Sequence, residues 1–307
     1  MMYESILDTV GNTPLLHASR LEKALGLSAT LLLKLESRNP GGSAKDRVAV
    51  NMIREAERTG ALRPGGTIIE ATSGNTGVGL ALVAAVLGYH VILTMPDTMS
   101  LERRKLLSGF GAELLLTPGS EGMAGANEKA EELLRTIPNS MRALQFENPA
   151  NPAAHEASTG PELWRDAAGK LDAFVATVGT GGTLCGTGRY LKKQSPRIRV
   201  FAVEPSESPL LSGGKAGPHG IQGIGANFIP KNYDPAVVDG VLPVSTEAAV
   251  KTAKLLMRTE GVLCGISSGA AAAGAVALAG RPEFAGAVIA ALLPDTGERY
   301  LSTALFD

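Results

Sequence analysis

Asp172-Ala-Phe-Val-Ala-Thr-Val178 runs directly into Gly179-Thr-Gly-Gly-Thr183, and that loop into Leu184-Cys-Gly-Thr-Gly-Arg-Tyr-Leu-Lys-Lys193. A short apolar run, a glycine-rich turn and a longer mixed segment read as strand, loop and helix. Arg199-Val-Phe-Ala-Val203 then supplies the next strand. Strand, helix and strand at this spacing imply parallel strands joined by right-handed crossovers, with the loops at the strand C-terminal ends on one side of the sheet. The same rhythm extends outward in both directions. Strands are predicted at 30–36, 67–71, 90–95, 113–117 and 142–146, and helices at 47–59, 76–87, from Ser100, from Met123 and at 154–168. The fold class is therefore α/β, with two doubly wound α/β domains whose sheets are rich in parallel strands.

A length of 307 residues suggests about two domains of ~150 residues each. The Pro/Asn-rich stretch Asn148-Pro-Ala-Asn-Pro152 is the candidate junction. It gives a smaller mobile domain over 40–150 and a larger one built from 1–39 plus 151–307. The Gly/Pro-rich stretch 206–235 is predicted to be a loop region over the site, and the Ala-rich 269–280 a tightly packed helix.

Hydrophobic residues make up 44% and charged ones 19%, while aromatics are only 4%, so the core must rest on Ala, Val, Leu and Ile. The formal net charge is -1 with both signs interspersed, which offers no basic face for a nucleic-acid backbone. The longest apolar run, 78–88, falls well short of the roughly 20 residues of a membrane span. Cys185 and Cys264 stand in no CxxC or CxxH spacing, and the histidines at 17, 90, 155 and 219 form no HExxH pair. A disulfide and a metal site are not expected. A reducing cytoplasm is the expected compartment.

Four loops carry the chemical signals. Gly179-Thr-Gly-Gly-Thr183 would present backbone N–H groups, a helix N-terminus and threonine hydroxyls to a phosphate. Leu184 occupies the third-glycine position of a dinucleotide fingerprint, and no GxxxxGK[ST] occurs. Thr72-Ser-Gly-Asn-Thr-Gly77, between a strand and a helix, could wrap a carboxylate, though an ordinary N-cap and tight turn would look the same. Asn39-Pro-Gly-Gly-Ser-Ala-Lys45-Asp-Arg47 puts a lysine where the helix dipole disfavours a cation. That setting suits a nucleophile or base, while a solvated surface lysine is the simpler reading of the spacing alone. Gly265-Ile-Ser267-Ser-Gly269 opens the Ala-rich helix, where Ser267 or Ser268 would cap it or offer a hydroxyl to a ligand.

Together and in this order, the four loops resemble the fold-type II pyridoxal-phosphate (PLP) family, whose fold is like that of the tryptophan synthase β chain. Within it they are most similar to the O-acetylserine sulfhydrylases (cysteine synthases). Gly11-Asn-Thr-Pro-Leu, Met95-Pro-Asp-Thr-Met-Ser-Leu-Glu-Arg-Arg, Gln145-Phe-Glu-Asn-Pro-Ala-Asn-Pro, Gly220-Ile-Gln-Gly-Ile-Gly and Gly297-Glu-Arg-Tyr-Leu-Ser-Thr extend the resemblance over nearly the whole chain. The resemblance implies pyridoxal 5'-phosphate as cofactor, with Lys45 as its Schiff-base residue and as catalytic base. Gly179, Thr180, Gly181, Gly182 and Thr183 would hold the phosphate, Asn75 the ring 3′-oxygen and Ser267 the ring nitrogen. Thr72, Ser73, Thr76 and Gln145 would bind the substrate carboxylate and drive domain closure. The implied reaction replaces the acetate of O-acetyl-L-serine by sulfide through an α-aminoacrylate, giving L-cysteine. A homodimer and the C-terminal tail of a serine acetyltransferase are the implied partners, with neither nucleic acid nor membrane.

Rival readings are weaker. A user of O-phosphoserine should present a cation in Gly220-Ile-Gln-Gly-Ile-Gly-Ala-Asn-Phe228, which has none. A cystathionine β-synthase-like enzyme would keep the fold and change the substrates. A non-catalytic peptide-binding relative would not need Lys45, Asn75 and Ser267 together, and a nicotinamide dehydrogenase lacks its third glycine. Asp295-Thr296 is the one local departure from some relatives, close to the expected cofactor site.

Overall fold

The computed structural model describes residues 2–307. The chain forms two compact units, one of 1–10 and 39–151 and a larger one of 11–38 and 152–307. In chain order, the larger unit first contributes β1 (Leu15–His17), α1 (Ser19–Leu25) and β2 (Thr30–Leu35). The first unit follows with α2 (Lys45–Thr59), β3 (Thr67–Ala71), α3 (Asn75–Leu87), β4 (His90–Pro96), α4 (Leu101–Gly109), β5 (Glu113–Thr117), α5 (Gly122–Thr136) and β6 (Ser140–Arg142). Helix α6 (Ala150–Ala154) carries the chain out of it, through one π-helical turn (His155–Thr159), into α7 (Gly160–Asp166). The larger unit is completed by β7 (Ala173–Thr177), α8 (Gly182–Gln194), β8 (Arg199–Pro205), β9 (Gly240–Val244), α9 (Thr246–Glu260), α10 (Ile266–Ala279) and β10 (Val288–Leu293).

The first unit holds a four-stranded sheet in the order β5-β4-β3-β6, parallel throughout. Every residue of β3 is buried, because helices cover both faces. Ile68 packs with residues of α2 and α3, while its neighbours Ile69 and Ala71 pack with Ala126 and Ala130 of α5. The larger unit holds six strands in the order β1-β2-β10-β7-β8-β9, of which only β1 runs antiparallel. The doubly wound α/β architecture read from the sequence is thus present in both units.

Several elements differ from expectation for physical reasons. The strand expected at 142–146 lies earlier, at Ser140–Arg142, because Leu144 takes φ 51 and breaks the extended run. The helix expected at 154–168 begins at Ala150, where the Asn148 side chain accepts the Ala150 N–H at 2.9 Å. Pro152 falls in the first turn, where its missing N–H does no harm. The proposed junction is therefore partly helical, and that helix is interrupted by the π turn. Helix α10 starts before Gly269, and its small residues serve close packing: a Cβ on Gly269 would sit 2.1 Å from the Ala249 carbonyl of α9. Of the stretch 206–235, residues 206–234 contain neither helix nor strand, and Pro235 opens a 3-10 turn. No helix among the described residues is long and apolar enough to cross a membrane.

Candidate functional site

The predicted site residues fall into a set in each unit. In the first unit, Lys45 is the first residue of α2, half-buried, and its N–H donates to the Ser43 hydroxyl at 3.2 Å. The loop before it folds around the Asp46 carboxylate, which accepts the Gly41 N–H at 2.5 Å. A Cβ on Gly41 would overlap that carboxylate at 2.5 Å, so only glycine fits. Gly79 of α3 plays a matching part, because a Cβ there would lie 2.9 Å from the Lys45 carbonyl. Gly79 thereby lets α3 approach α2 at the lysine.

Thr72 to Gly74 leave the C-terminal end of β3, and Asn75 opens α3 behind an N-cap glycine that has no side-chain oxygen. The Thr72 hydroxyl accepts the Gly74 N–H at 3.3 Å, and the Ser73 hydroxyl lies 2.9 Å from the Met99 sulfur. Thr76 donates its hydroxyl proton to the Gln145 side-chain oxygen, and both residues are buried. The structure thus brings Thr76 and Gln145 together across 69 residues of sequence. Beneath them Glu70, buried in β3, accepts the Leu144 N–H at 3.1 Å and the Gln145 N–H at 3.5 Å. Burial pushes the Glu70 carboxyl up from its ordinary value, against the opposing pull of these amides and of Arg142.

In the larger unit, Gly179–Thr183 leaves the end of β7 and enters α8. Gly181 is the N-cap at φ 80 and has no side chain with which to cap the helix. The left-handed turn followed by helical residues aims successive N–H groups to one side, a geometry that fits a phosphate dianion. Side chains are excluded here as well: a Cβ on Gly179 would lie 2.4 Å from the Gly223 carbonyl, and one on Gly181 2.9 Å from the Tyr233 N–H nitrogen. The Thr180 hydroxyl accepts the Gly182 N–H at 3.4 Å, and Thr183 meets the His155 ring at 3.1 Å.

Ser267 is buried in the first turn of α10, whose N-cap is Gly265. Neither Ser267 nor Ser268 caps that helix. Ser268 instead pairs with the Asp295 main chain, donating to its carbonyl at 3.3 Å. Asp295 is buried, accepts the Tyr300 hydroxyl at 2.6 Å, and would overlap any Cβ on Gly265 at 2.2 Å. His155 and Glu70 are residues that the sequence reading did not select, and it noted Asp295 only as a departure near the expected cofactor site, not as the partner of Tyr300. Only Glu70 left a signal, a lone carboxylate inside the otherwise apolar Thr67-Ile-Ile-Glu-Ala71.

The family model of the pyridoxal-phosphate dependent enzymes matches residues 6–295. The chain belongs to this family. Among curated relatives, it is 51% identical over 307 residues to cysteine synthase A of Escherichia coli (strain K12), covering 97% of this chain and 94% of that one. It is 49% identical over 304 residues to the cysteine synthase of Staphylococcus aureus (strain Mu50), covering 99% of this chain and 97% of that one. Among solved structures, a cysteine synthase from Entamoeba histolytica superposes with a TM-score of 0.97 at 44% identity, covering 100% of this chain and 91% of that one. As a pyridoxal-phosphate dependent enzyme the chain uses pyridoxal 5'-phosphate, and the glycine-lined start of α8 suits the phosphate of that cofactor. Both cysteines are buried thiols, not a disulfide.

Proposed function

We propose that this enzyme is a cysteine synthase that replaces the acetate of O-acetyl-L-serine by sulfide. The carrying observation is the 51% identity to Escherichia coli cysteine synthase A over 97% of the chain. The grouping of Lys45, Thr72–Thr76 and Gln145 within one unit agrees with it.

Lys45 would hold the cofactor covalently, with Asn75 and Ser267 at its ring and Gly179–Thr183 at its phosphate. When bound, the cofactor supplies an electron sink for the bonding pair released at the substrate Cα. Thr72, Ser73, Thr76 and Gln145 would bind the substrate carboxylate and fix the Cα–H bond toward Lys45. The Lys45 amine would take the Cα proton as general base and later return one to Cα. Acetate leaves Cβ with the C–O bonding pair, and hydrosulfide donates the pair that forms the new C–S bond. A neutral hydroxyl at Ser267, in place of a carboxylate, would not favour a protonated ring, and so would favour elimination over transamination. Water must be kept out between the two halves, since hydrolysis would divert the substrate to pyruvate and ammonia.

The absence of a cation in 220–228 supports the acetyl ester over a phosphate ester. Family likeness alone supports a cytoplasmic homodimer able to take an acetyltransferase tail. Initial rates of cysteine formation with sulfide, from O-acetylserine and O-phosphoserine at equal concentration, test the proposal. The acetyl ester should be faster by at least about tenfold. A faster phosphate ester would overturn the choice of substrate.

A further inference from the structure

Glu70 is an unusual occupant of its strand. It is the fourth of five consecutive buried residues in β3, and its side chain is 3% exposed. Burying a carboxylate is unfavourable unless its oxygens are well hydrogen-bonded. Here the partners are main-chain amides of a single turn. The Leu144 N–H lies at 3.1 Å from one carboxylate oxygen and the Gln145 N–H at 3.5 Å from the other, while the Arg142 Nε lies at 4.0 Å. Leu144 holds φ 51, a left-handed conformation that a leucine adopts only under constraint. That conformation points consecutive N–H groups at one spot, as in an anion-binding nest, and the Glu70 carboxylate fills it.

The other side of the turn is also tied down. Asn151 donates its side-chain N–H to the Gln145 carbonyl at 2.7 Å, and Asn148 does the same to the Ala143 carbonyl at 2.9 Å. Gln145 is thus held at its N–H by Glu70 and at its carbonyl by Asn151, with its side-chain oxygen against the Thr76 hydroxyl. Glu70 also lies two residues before Thr72 on the strand that delivers the 72–76 loop. One strand therefore carries that loop and fixes the residue facing it.

We infer that Glu70 is a positioning residue that sets the affinity for the substrate α-carboxylate by holding Gln145 against Thr76. The inference rests on the reading that Thr72, Ser73, Thr76 and Gln145 bind that carboxylate. Glu70 itself touches no reacting atom. Glu70→Gln keeps the shape but turns an amide N–H toward the main-chain donors, so the turn loses its anion.

The test uses the holoenzyme and two unreactive ligands, L-alanine and L-alaninamide, which share the amine and differ in the carboxylate. Binding is read from the change in visible absorption. In the wild type L-alanine binds more tightly. In Glu70→Gln this preference falls by about tenfold, and KM for O-acetylserine rises in parallel while KM for sulfide stays constant. If Glu70→Gln accumulates poorly, Glu70→Gln with Leu144→Gly supplies folded protein, because glycine accepts the positive φ, and the same loss is expected there. Gln145→Ala separates the two levels. If it loses the preference and Glu70→Gln retains it, the inference is overturned and the reading of the carboxylate site stands. If Gln145→Ala also retains it, that reading falls and the inference with it.

Discussion

The His155 imidazole bridges Thr159 and Thr183, with Nδ1 2.9 Å from the first hydroxyl oxygen and Nε2 3.1 Å from the second. His155 is fully buried and belongs to the single π turn between α6 and α7, a local irregularity often found at functional positions. Thr183 belongs to the loop proposed to hold the cofactor phosphate, and on that proposal the histidine fixes the rotamer of a hydroxyl that faces the cofactor. If the Thr183 hydroxyl donates to the phosphate, its oxygen must accept from Nε2–H, and Nδ1 must accept from Thr159.

This arrangement makes His155→Gln a cofactor-affinity variant. Titration of the apoenzyme with pyridoxal phosphate, followed by fluorescence, should show affinity lower by about three- to tenfold, the scale of one hydrogen bond. Nitrogen NMR of the loaded wild type should report the Nε2–H tautomer. Unchanged affinity together with the Nδ1–H tautomer would contradict the assignment.

Packing between α9 and α10 gives a stability prediction remote from the site. Gly269→Ala would set a methyl 2.1 Å from the Ala249 carbonyl and 2.8 Å from the Ala253 Cβ. The helices must separate, at a cost of about 1–3 kcal/mol. Denaturant unfolding should show a lower midpoint in Gly269→Ala, and no change in midpoint would mean that the helices give way freely.

The two thiols should be inert in the native protein. Burial pushes Cys264 up to about 12, helped by Asp295, and burial also raises Cys185. Cys185 is further occupied in accepting the Asp234 N–H at 3.2 Å. An aromatic disulfide reagent at mildly alkaline pH should titrate neither thiol before denaturation and both of them after it.

Glu70 leaves a pH signature. Its folded-state carboxyl holds its proton more tightly than the ordinary value of 4.5, chiefly because of burial. The folded state therefore binds more protons between that value and the raised one. The stability contributed is fully present below the ordinary value and is lost as pH rises through the window. Relative to wild type, Glu70→Gln should gain in unfolding free energy as pH rises above the ordinary carboxyl value of 4.5 and through the raised folded-state one. A difference that is flat with pH would place the folded carboxyl at its ordinary value.

The sequence was informative where local chemistry and topology coincide. Thr67–Ala71 and Asp172–Val178 are short, apolar and followed by glycine-rich turns, so strand and loop could be read together. The places of Gly179–Thr183 and Lys45 at helix starts were legible for the same reason, since a glycine-rich turn marks each. Long-range arrangements were not. Nothing in the local sequence says that Thr76 meets Gln145, that Glu70 grips the 143–145 turn, or that His155 reaches Thr183. Leu144 shows the limit most clearly: its residue type predicts a strand, and a carboxylate 74 positions earlier holds it in a left-handed turn. Strands β9 and β10 and helix α9 carried no expectation at all, because they lack a comparable glycine-rich loop to mark them.

The central claim is that this chain carries out both halves of a β-replacement with Lys45 as its reacting amine. The direct measurement is the visible absorption spectrum of the purified protein, recorded alone, after O-acetylserine and after sulfide. The account predicts a yellow protein whose band shifts on adding O-acetylserine and returns on adding sulfide, with one cysteine formed per site and no such cycle in Lys45→Ala. A protein whose band ignores O-acetylserine, or one that remains colourless with added pyridoxal phosphate, would contradict it.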